Sequence, residues 1–299
     1  MKSNNLKDKI WLVFILTTIL TWGIWGAFSD LQMERDGIPE TVVYILWALS
    51  MIPCAIVALI INKGKFLHDW KSVLLGCTVG ILGAGGQLVL FKALAIGPAY
   101  IIFPFISMSP VIVITLAALF LKEKANRWQI AGIVVALAAI LLLSLQSGGE
   151  DGPVSGWLWI VLAVLVLLAW GIQGFFMKFA NNSMDAESIF IWMAISGLVL
   201  IPVAWFMQSK PMTAPEFFAS ADVTVKSLKC FGIQILNSIG ALTLVYAYRY
   251  GKAVVVSPME GLSPMVTVLL SLIILQVIPN PLQIAGICCA AFAMYALSK

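Results

Sequence analysis

The chain consists of long apolar runs separated by short polar segments. The runs have about 20 residues each, the length that an α-helix needs to cross a hydrocarbon core of about 30 Å. They are too long and too continuous for the strands of a membrane barrel, which alternate over segments of about 10 residues. We predict ten transmembrane helices, called spans 1 to 10, at residues 10–29, 41–61, 72–95, 99–121, 128–145, 156–179, 186–207, 227–250, 254–277 and 281–298.

Composition favours a membrane protein over a soluble one. Of the 299 residues, 61% are hydrophobic and 11% are charged, against roughly 45–50% and about 25% in soluble domains. The run at 10–29 is longer than the apolar core of a signal peptide and ends without a small-residue cleavage site, so we interpret it as span 1. The 5 cysteines lie in or beside apolar runs without metal-ligand spacing. We expect them to pack in the membrane and to form neither disulfides nor a metal site.

The basic residues predict the orientation, because Lys and Arg in short loops stay cytoplasmic. With the N-terminus inside, thirteen of the 18 basic residues fall on the inner side. We therefore expect a multi-pass protein of the bacterial inner (cell) membrane with both termini cytoplasmic. The net charge of +4 reflects this bias, and no basic stripe interleaved with aromatic residues indicates nucleic acid. The expected partners are the lipid bilayer and a small-molecule solute, with the chain a monomer or a homodimer.

An internal repeat is the most specific signal in the sequence. A displacement of 154 positions aligns residues 91–133 with residues 245–287 without a gap. Chance similarity between apolar helices would not place glycine, proline and amide residues in register. These matched identities include Gly97/Gly251, Pro104/Pro258, Pro110/Pro264, Asn126/Asn280 and Gln129/Gln283.

A second match pairs Trp22-Gly23-Ile24 with Trp170-Gly171-Ile172 at an offset of 148. The chain thus divides into two five-span repeats, residues 1–147 and 154–299. Because five is odd, the second repeat enters the membrane from the opposite side. Inverted repeats are typical of secondary transporters, which hold the substrate near the midplane where the repeats meet. We predict an all-α membrane protein with two inverted five-helix repeats that transports a solute by alternating access; a non-transporting scaffold and a channel are the alternatives of another class.

Three segments of the first half have counterparts in the second half: Trp22-Gly23-x-x-Gly26, FKALAIGPAYIIFPFISMSPV at 91–111 and LFLKEKANRWQIAG at 119–132. These segments and their counterparts resemble the EamA-type drug/metabolite transporter superfamily. The resemblance implies a cavity lined mainly by spans 1, 3, 4, 6, 8 and 9, with spans 5 and 10 peripheral. It implies no fixed substrate, because the superfamily includes exporters of amino acids and metabolites as well as sugar carriers. A sugar-specific uptake permease is therefore an alternative. Glu123 after span 4 is matched by Val277 after span 9, so any role of this acid belongs to one half.

Glu260 is the most unusual polar residue within the apolar runs. It lies eight residues beyond Lys252, or about 12 Å deep at about 1.5 Å per helical residue. A charge at this depth costs at least about 2.5–3.5 kcal/mol, so the carboxyl is expected to face a cavity or a partner. We predict a proton- or ion-coupling role, with Lys92 and Arg249 as candidate charge partners. A packing role is the alternative.

Several polar and aromatic residues lie on the spans expected to line the cavity. Indoles offer walls for a flat solute or simple packing, and amides offer substrate contacts or bonds between helices. The predicted substrate-binding residues are Trp22, Trp25, Gln87, Ser109, Trp170, Gln173, Asn237, Tyr246 and Ser263. Few buried charges favour a neutral or zwitterionic solute such as a metabolite, amino acid or sugar. The single histidine, His68, lies in a polar loop, and no catalytic or cofactor motif occurs, so we expect neither an enzyme nor a cofactor.

Overall fold

The computed structural model describes residues 9–30, 38–96, 102, 105–144, 157–207, 221–275 and 280–299. Within these residues the secondary structure is helical throughout, without strands. The helices with defined bounds among these residues are α1 (Ile10–Asp30), α2 (Glu40–Ile61), α3 (Trp70–Ile96), α4 (Ser109–Phe120), α5 (Arg127–Ser144), α6 (Leu158–Ala180), α7 (Ala186–Val199), α8 (Ile201–Phe206), α9 (Ala221–Tyr250), α10 (Ala253–Glu260), α11 (Ser263–Leu275) and α12 (Pro281–Leu297).

The helices confirm a multi-pass integral membrane protein. Seven helical stretches among the described residues are long and apolar enough to cross a membrane, and three shorter apolar helices accompany them. The shorter ones are α4, α5 and α12. Two predicted spans are each made of two helices: α7 and α8 together form span 7, and α10 and α11 together form span 9.

Breaks in the helices coincide with repeat-matched prolines. Span 9 is interrupted after Glu260, and α11 begins at Ser263 with Pro264 in its first turn. In the first half, α4 begins at Ser109 with Pro110 in its first turn. A proline is tolerated there because the amide it lacks would have no helical partner. The prolines therefore start new helices instead of bending continuous ones. Pro104 lies outside the described residues, whereas Pro258 lies inside α10.

Helices of one half pack mainly against helices of the other half. In the principal contacts α3 packs on α6 and α7, whereas α9 packs on α1 and α2. Likewise α4 packs on α6 and α11 packs on α1, while α5 and α12 pack on each other. Exchanging the halves converts each of these contacts into another of the same set, except the contact between α5 and α12, which converts into itself. The packing is thus pseudo-symmetric, as a repeated sequence requires.

Glycines make the closest of these contacts and follow the same symmetry. A side chain at Gly23 of α1 would collide with Val266 of α11, and one at Gly171 of α6 would collide with Ile112 of α4. Position 266 is 154 residues after position 112, which is the repeat offset. The Trp-Gly signature is therefore explained by two equivalent close helix approaches.

The matched Asn and Gln residues form the same structure twice. At the start of α12, Asn280 and Gln283 each bond the other's backbone N–H in a capping box. At the start of α5, Asn126 Oδ1 accepts from the N–H of Gln129 at 2.9 Å, and Gln129 Oε1 accepts from the N–H of Asn126 at 3.0 Å. These bonds satisfy amides that a helix N-terminus leaves without partners.

The segments predicted to lie on the inner side meet at one end of the molecule. Asn62 after α2 donates to Asp185 before α7 at 2.9 Å. Lys252 after α9 donates to the carbonyl oxygen of Lys124 after α4 at 2.8 Å. A third bond, from Arg249 at the end of α9 to the carbonyl oxygen of Met184 before α7, joins these two pairs of connections. The four connections, which follow predicted spans 2, 4, 6 and 8, therefore share one face.

Candidate functional site

A cavity of about 280 Å³ lies between the two halves. This volume is close to the lower limit of about 300–1,000 Å³ typical of small-molecule sites. Its walls come from α1, α2, α3, α4, α6, α7, α9, the end of α10 and the start of α11. The cavity therefore accepts a small solute, and both halves contribute to its surface.

The two halves contribute equivalent positions to the cavity wall. A residue of one half and its repeat partner both line the cavity in many cases, at the offsets of 148 or 154. These lining pairs include Trp22/Trp170, Trp25/Gln173, Gly83/Asn237, Gln87/Ala241, Leu90/Leu244, Ile106/Glu260, Ser109/Ser263 and Pro110/Pro264. The cavity thus lies on the pseudo-symmetry axis of the fold, and Glu260 is an acid on one side where the other side has Ile106.

Nine residues predicted from the sequence to form the site line this cavity. They come from separate helices, and the fold brings them together. They are Trp22, Trp25, Gln87, Ser109, Trp170, Gln173, Asn237, Glu260 and Ser263.

The lining tryptophans are held by hydrogen bonds from their indole nitrogens. Trp22 Nε1 donates to the carbonyl oxygen of Asn237 at 3.1 Å, and Trp170 Nε1 approaches the carbonyl oxygen of Gly83 at 3.4 Å. Because Asn237 and Gly83 are repeat partners, these two bonds are equivalent. Trp25 Nε1 donates to Gln234 Oε1 at 3.0 Å. The rings are thus fixed in orientation, and their N–H groups are already used.

Asn237 connects helices as well as lining the cavity. Its side-chain oxygen accepts from Trp47 Nε1 at 2.8 Å, and its backbone oxygen accepts from Trp22. These contacts join α9 to α2 and to α1. Of the two interpretations left open for this amide, the bonds between helices are present in the structure.

Glu260 ends α10 at the cavity wall with weak hydrogen bonding. Its Oε1 accepts from the Tyr248 hydroxyl at 3.3 Å and from the Ser257 hydroxyl at 3.5 Å. Both distances exceed the usual range of about 2.5–3.0 Å for O–H···O bonds. Its Oε2 is buried and has no hydrogen-bond partner among the described residues.

A charged cluster lies at one end of the cavity, where α4, α6, α9 and α10 meet. Lys178 Nζ donates to the carbonyl oxygens of Tyr248 at 2.9 Å and Gly251 at 2.6 Å. It lies 4.0 Å from Glu123 Oε1, and the two side chains are 15% and 11% exposed. Glu123 Oε2 accepts from the N–H of Val254 at 3.1 Å. We call these five residues the Glu123–Lys178 cluster.

The cluster joins the two halves of the chain. Lys178 binds carbonyl oxygens at the C-terminal end of α9, and Glu123 binds an amide at the N-terminal end of α10. Each charge therefore faces the helix end of opposite partial charge. Tyr248 connects the cluster to the cavity, because its carbonyl oxygen binds Lys178 and its hydroxyl binds Glu260.

Comparison with known proteins identifies the family. The model of the EamA-like transporter family matches residues 9–145 and also residues 157–299. The chain belongs to the EamA-like transporter family. A solved crystal structure superimposes with a TM-score of 0.74 at 14% identity, covering 95% of this chain and 97% of that chain. At this identity the likeness shows the fold alone.

Curated relatives of this family member include two exporters. The probable terminal-alkyne amino-acid exporter of Streptantibioticus cattleyicolor is 25% identical over 288 residues, covering 94% of this chain and 90% of that protein. The pseudopaline exporter CntI of Pseudomonas aeruginosa is 25% identical over 262 residues, covering 85% of each chain. An uncharacterized protein of Methanocaldococcus jannaschii is 29% identical over 136 residues, which cover 46% of this chain and 97% of that protein.

Three residues predicted for the site of this EamA-like protein lie elsewhere. The Tyr246 hydroxyl donates to Glu187 at 2.5 Å. Arg249 donates to the carbonyl oxygen of Met184 at 2.8 Å. Lys92 borders a separate, much smaller pocket beside Glu40. The described hydrogen bonds of Glu260 come instead from Tyr248 and Ser257.

Sequence reasoning also missed residues that the structure brings to the site. The sequence predicts Tyr246 at the site, whereas Tyr248, two positions away, contacts Glu260, because the sequence does not fix the rotation of α9 about its axis. Trp47 of α2 and Met193 of α7 line the cavity although the resemblance implied other spans. The depth of Trp47 within an apolar run is the signal that could have suggested it.

Proposed function

We propose that this chain is a secondary transporter that moves a small organic solute through the central cavity by alternating access. Support comes from the lining of the cavity by repeat-equivalent residues of both halves. An exchange of conformation between inverted halves would open such a cavity first to one side and then to the other. In this proposal the ten spans form two inverted repeats, residues 1–147 and 154–299.

The proposed orientation places both termini in the cytoplasm. The connections that carry most of the basic residues share one face of the structure, which agrees with the rule that such loops stay inside. Ser220, which lies outside the described residues, is then in an external connection. A cysteine introduced as Ser220→Cys should react with an impermeant reagent from outside; reaction from the cytoplasm alone would reverse the orientation.

The proposed direction is export, because two relatives that match over most of their length are named as a probable exporter and an exporter. The proposed cargo is an organic solute small enough for a cavity of about 280 Å³. Gln87 and Gln173 are proposed to bind its polar groups, and the tryptophans its apolar part. The matched serines Ser109 and Ser263, at the starts of α4 and α11, complete the proposed site.

We assign the coupling role to Glu260. Its unpartnered Oε2 offers a place for a proton or a cation. The hydroxyl of Tyr248 on α9 bonds its carboxyl group, and the carbonyl oxygen of Tyr248 bonds Lys178 on α6, which faces Glu123 after α4. Because Glu260 borders the cavity, a proton and a substrate would compete for the same carboxyl.

Counterflow in proteoliposomes tests this function. Ligands are first found by thermal shift in detergent with a metabolite library, and a radiolabelled ligand is then followed into vesicles loaded with unlabelled ligand. The wild type should show saturable counterflow and a pH-dependent net flux. At a saturating concentration of ligand, Glu260→Gln should retain exchange and lose the pH dependence, whereas the control Glu187→Gln should behave like the wild type. An ohmic current without saturation would contradict a carrier, and an unchanged pH profile in Glu260→Gln would contradict the coupling role.

A further inference from the structure

The charge of the cavity lining is one-sided. Glu260 is the acid on the wall, and none of the described lining residues is Lys, Arg or His. Lys178, the cation of the Glu123–Lys178 cluster, is bound to two carbonyl oxygens and faces Glu123. A substrate that enters the cavity therefore meets a carboxyl group without a basic counterpart.

The state of the Glu260 carboxyl indicates a missing partner. Buried oxygens of carboxyl groups are almost always hydrogen-bonded, and exceptions call for an explanation. Here Oε2 is buried without a partner, while Oε1 has only two long hydrogen bonds. Because Glu260 lines the cavity, a small rotation of its side chain would bring this oxygen to a donor supplied from the cavity.

The aromatic walls offer ring surface and no free N–H groups. The indole nitrogens of Trp22, Trp25, Trp47 and Trp170 all point to protein oxygens. A substrate carboxylate would thus find neutral amides and hydroxyls as donors, and a poorly compensated buried anion is costly. An ammonium group would instead be stabilised, because indole rings attract cations more strongly than other aromatic side chains do.

We propose that the substrate is an organic amine whose ammonium group pairs with Glu260 and whose apolar part lies against the four tryptophans. This rests on the proposed transport function and narrows its cargo. A carboxylate on the substrate weakens binding, because the described lining provides no cation to receive it. The ammonium-bearing compound is therefore preferred over the matching zwitterion, and the zwitterion over the matching neutral compound.

Matched ligand triples test this order on the full-length purified protein. One triple is phenethylamine, phenylalanine and 2-phenylethanol; the others carry the same groups on an indole and on a cyclohexyl ring. Dissociation constants are measured by isothermal titration in detergent at neutral pH. At least one ammonium compound should bind at least tenfold more tightly than its neutral analogue. Equal or tighter binding of the neutral analogues, or no binding by any of the three ammonium compounds, would overturn the proposal.

The variant Glu260→Gln provides a second test. It should weaken binding of the ammonium compound at least tenfold and leave the dissociation constant of the neutral analogue within twofold of the wild-type value. The control Glu187→Gln should change neither dissociation constant. Retained binding of the ammonium compound by Glu260→Gln would refute the pairing. If this variant does not fold, the order of the wild-type triples decides alone.

Labelling of a cavity cysteine separates this proposal from the transport proposal. The variant Leu244→Cys, on the cavity wall, is treated with an impermeant thiol reagent from each side of the membrane. Labelling from both sides without amine binding would refute the proposed substrate class and remain consistent with transport by alternating access. Amine binding with labelling from one side alone would refute transport and keep the binding site.

Discussion

Removal of the Lys178 charge should open the end of the cavity that the Glu123–Lys178 cluster covers. The cluster lies about one helical turn beyond Gly174 of α6 and Leu244 of α9, which line the cavity. To open this end, α6 and α4 must separate from the junction of α9 and α10. That separation breaks the bonds of Lys178 to the Tyr248 and Gly251 carbonyl oxygens.

The size of the effect follows from the contacts. Hydrogen bonds to a charged group contribute about 1.5–3 kcal/mol each, and Lys178 makes two, at 2.9 and 2.6 Å. Hydrogen bonds to water replace part of this free energy when the cavity opens at the cluster. Loss of one partner of a buried ion pair costs about 3–5 kcal/mol. We take about 3 kcal/mol because the side chains are partly exposed. At about 1.4 kcal/mol per tenfold change, the ratio of protein open at this end to protein closed there should rise about 100-fold in Lys178→Met.

The assay is the labelling rate of Leu244→Cys from the cluster side, in a protein whose native cysteines have been replaced. Lys178→Met keeps most of the side-chain length and removes the ammonium group. The matched control is Lys124→Met, which removes the same charge from an exposed lysine next to Glu123. The cysteine of Leu244→Cys should be labelled much faster when Lys178→Met is added. When Lys124→Met is added instead, its labelling rate should stay within twofold of the rate in Leu244→Cys alone. Equal rates in the two variants would refute a closing role for the cluster.

Three further outcomes are expected. Asn280→Ala and Asn126→Ala should each lower the unfolding free energy by about 1 kcal/mol, because each removes one capping box; clearly unequal losses of thermal stability in detergent would argue against equivalent roles. Gly171→Val and Gly23→Val should each destabilise the fold by about 1–3 kcal/mol through overpacking, whereas Gly85→Val is the control because nothing lies within 4 Å of a side chain there. Trp47→Phe should lower thermal stability by about 1–3 kcal/mol, because it leaves the buried Asn237 side-chain oxygen without its Trp47 partner; an unchanged melting temperature would show that this bond contributes nothing.

The repeat allowed much of the fold to be predicted from the sequence. Residues that are identical in the two halves have the same structural roles. Asn126 and Asn280 both cap helices, and Gly23 and Gly171 both allow a close helix approach. Side chains at these places contact backbone or leave room for a neighbouring helix. Such requirements restrict residue type strongly, so duplicated copies keep the same residues.

The parts that the sequence did not reveal depend on helix rotation and long-range pairing. Tyr246 and Tyr248 differ in which neighbour they meet, and local pattern does not determine that choice. In the sequence, Lys178 is one of the basic residues on the predicted inner side and Glu123 is matched by Val277, and neither observation indicates that the two side chains meet. Their meeting across 55 positions of the chain results from the packing of α4 against α6, which periodicity does not encode.

The central claim is that one cavity becomes accessible from each side of the membrane in turn. It is tested most directly with Ala241→Cys, a cavity position on α9, in right-side-out and inside-out vesicles and in planar bilayers. With alternating access, an impermeant reagent should modify the same cysteine to completion from either side, modification from one side should prevent modification from the other, and the protein should carry no steady current. Modification from one side alone, or an ohmic current, would contradict it.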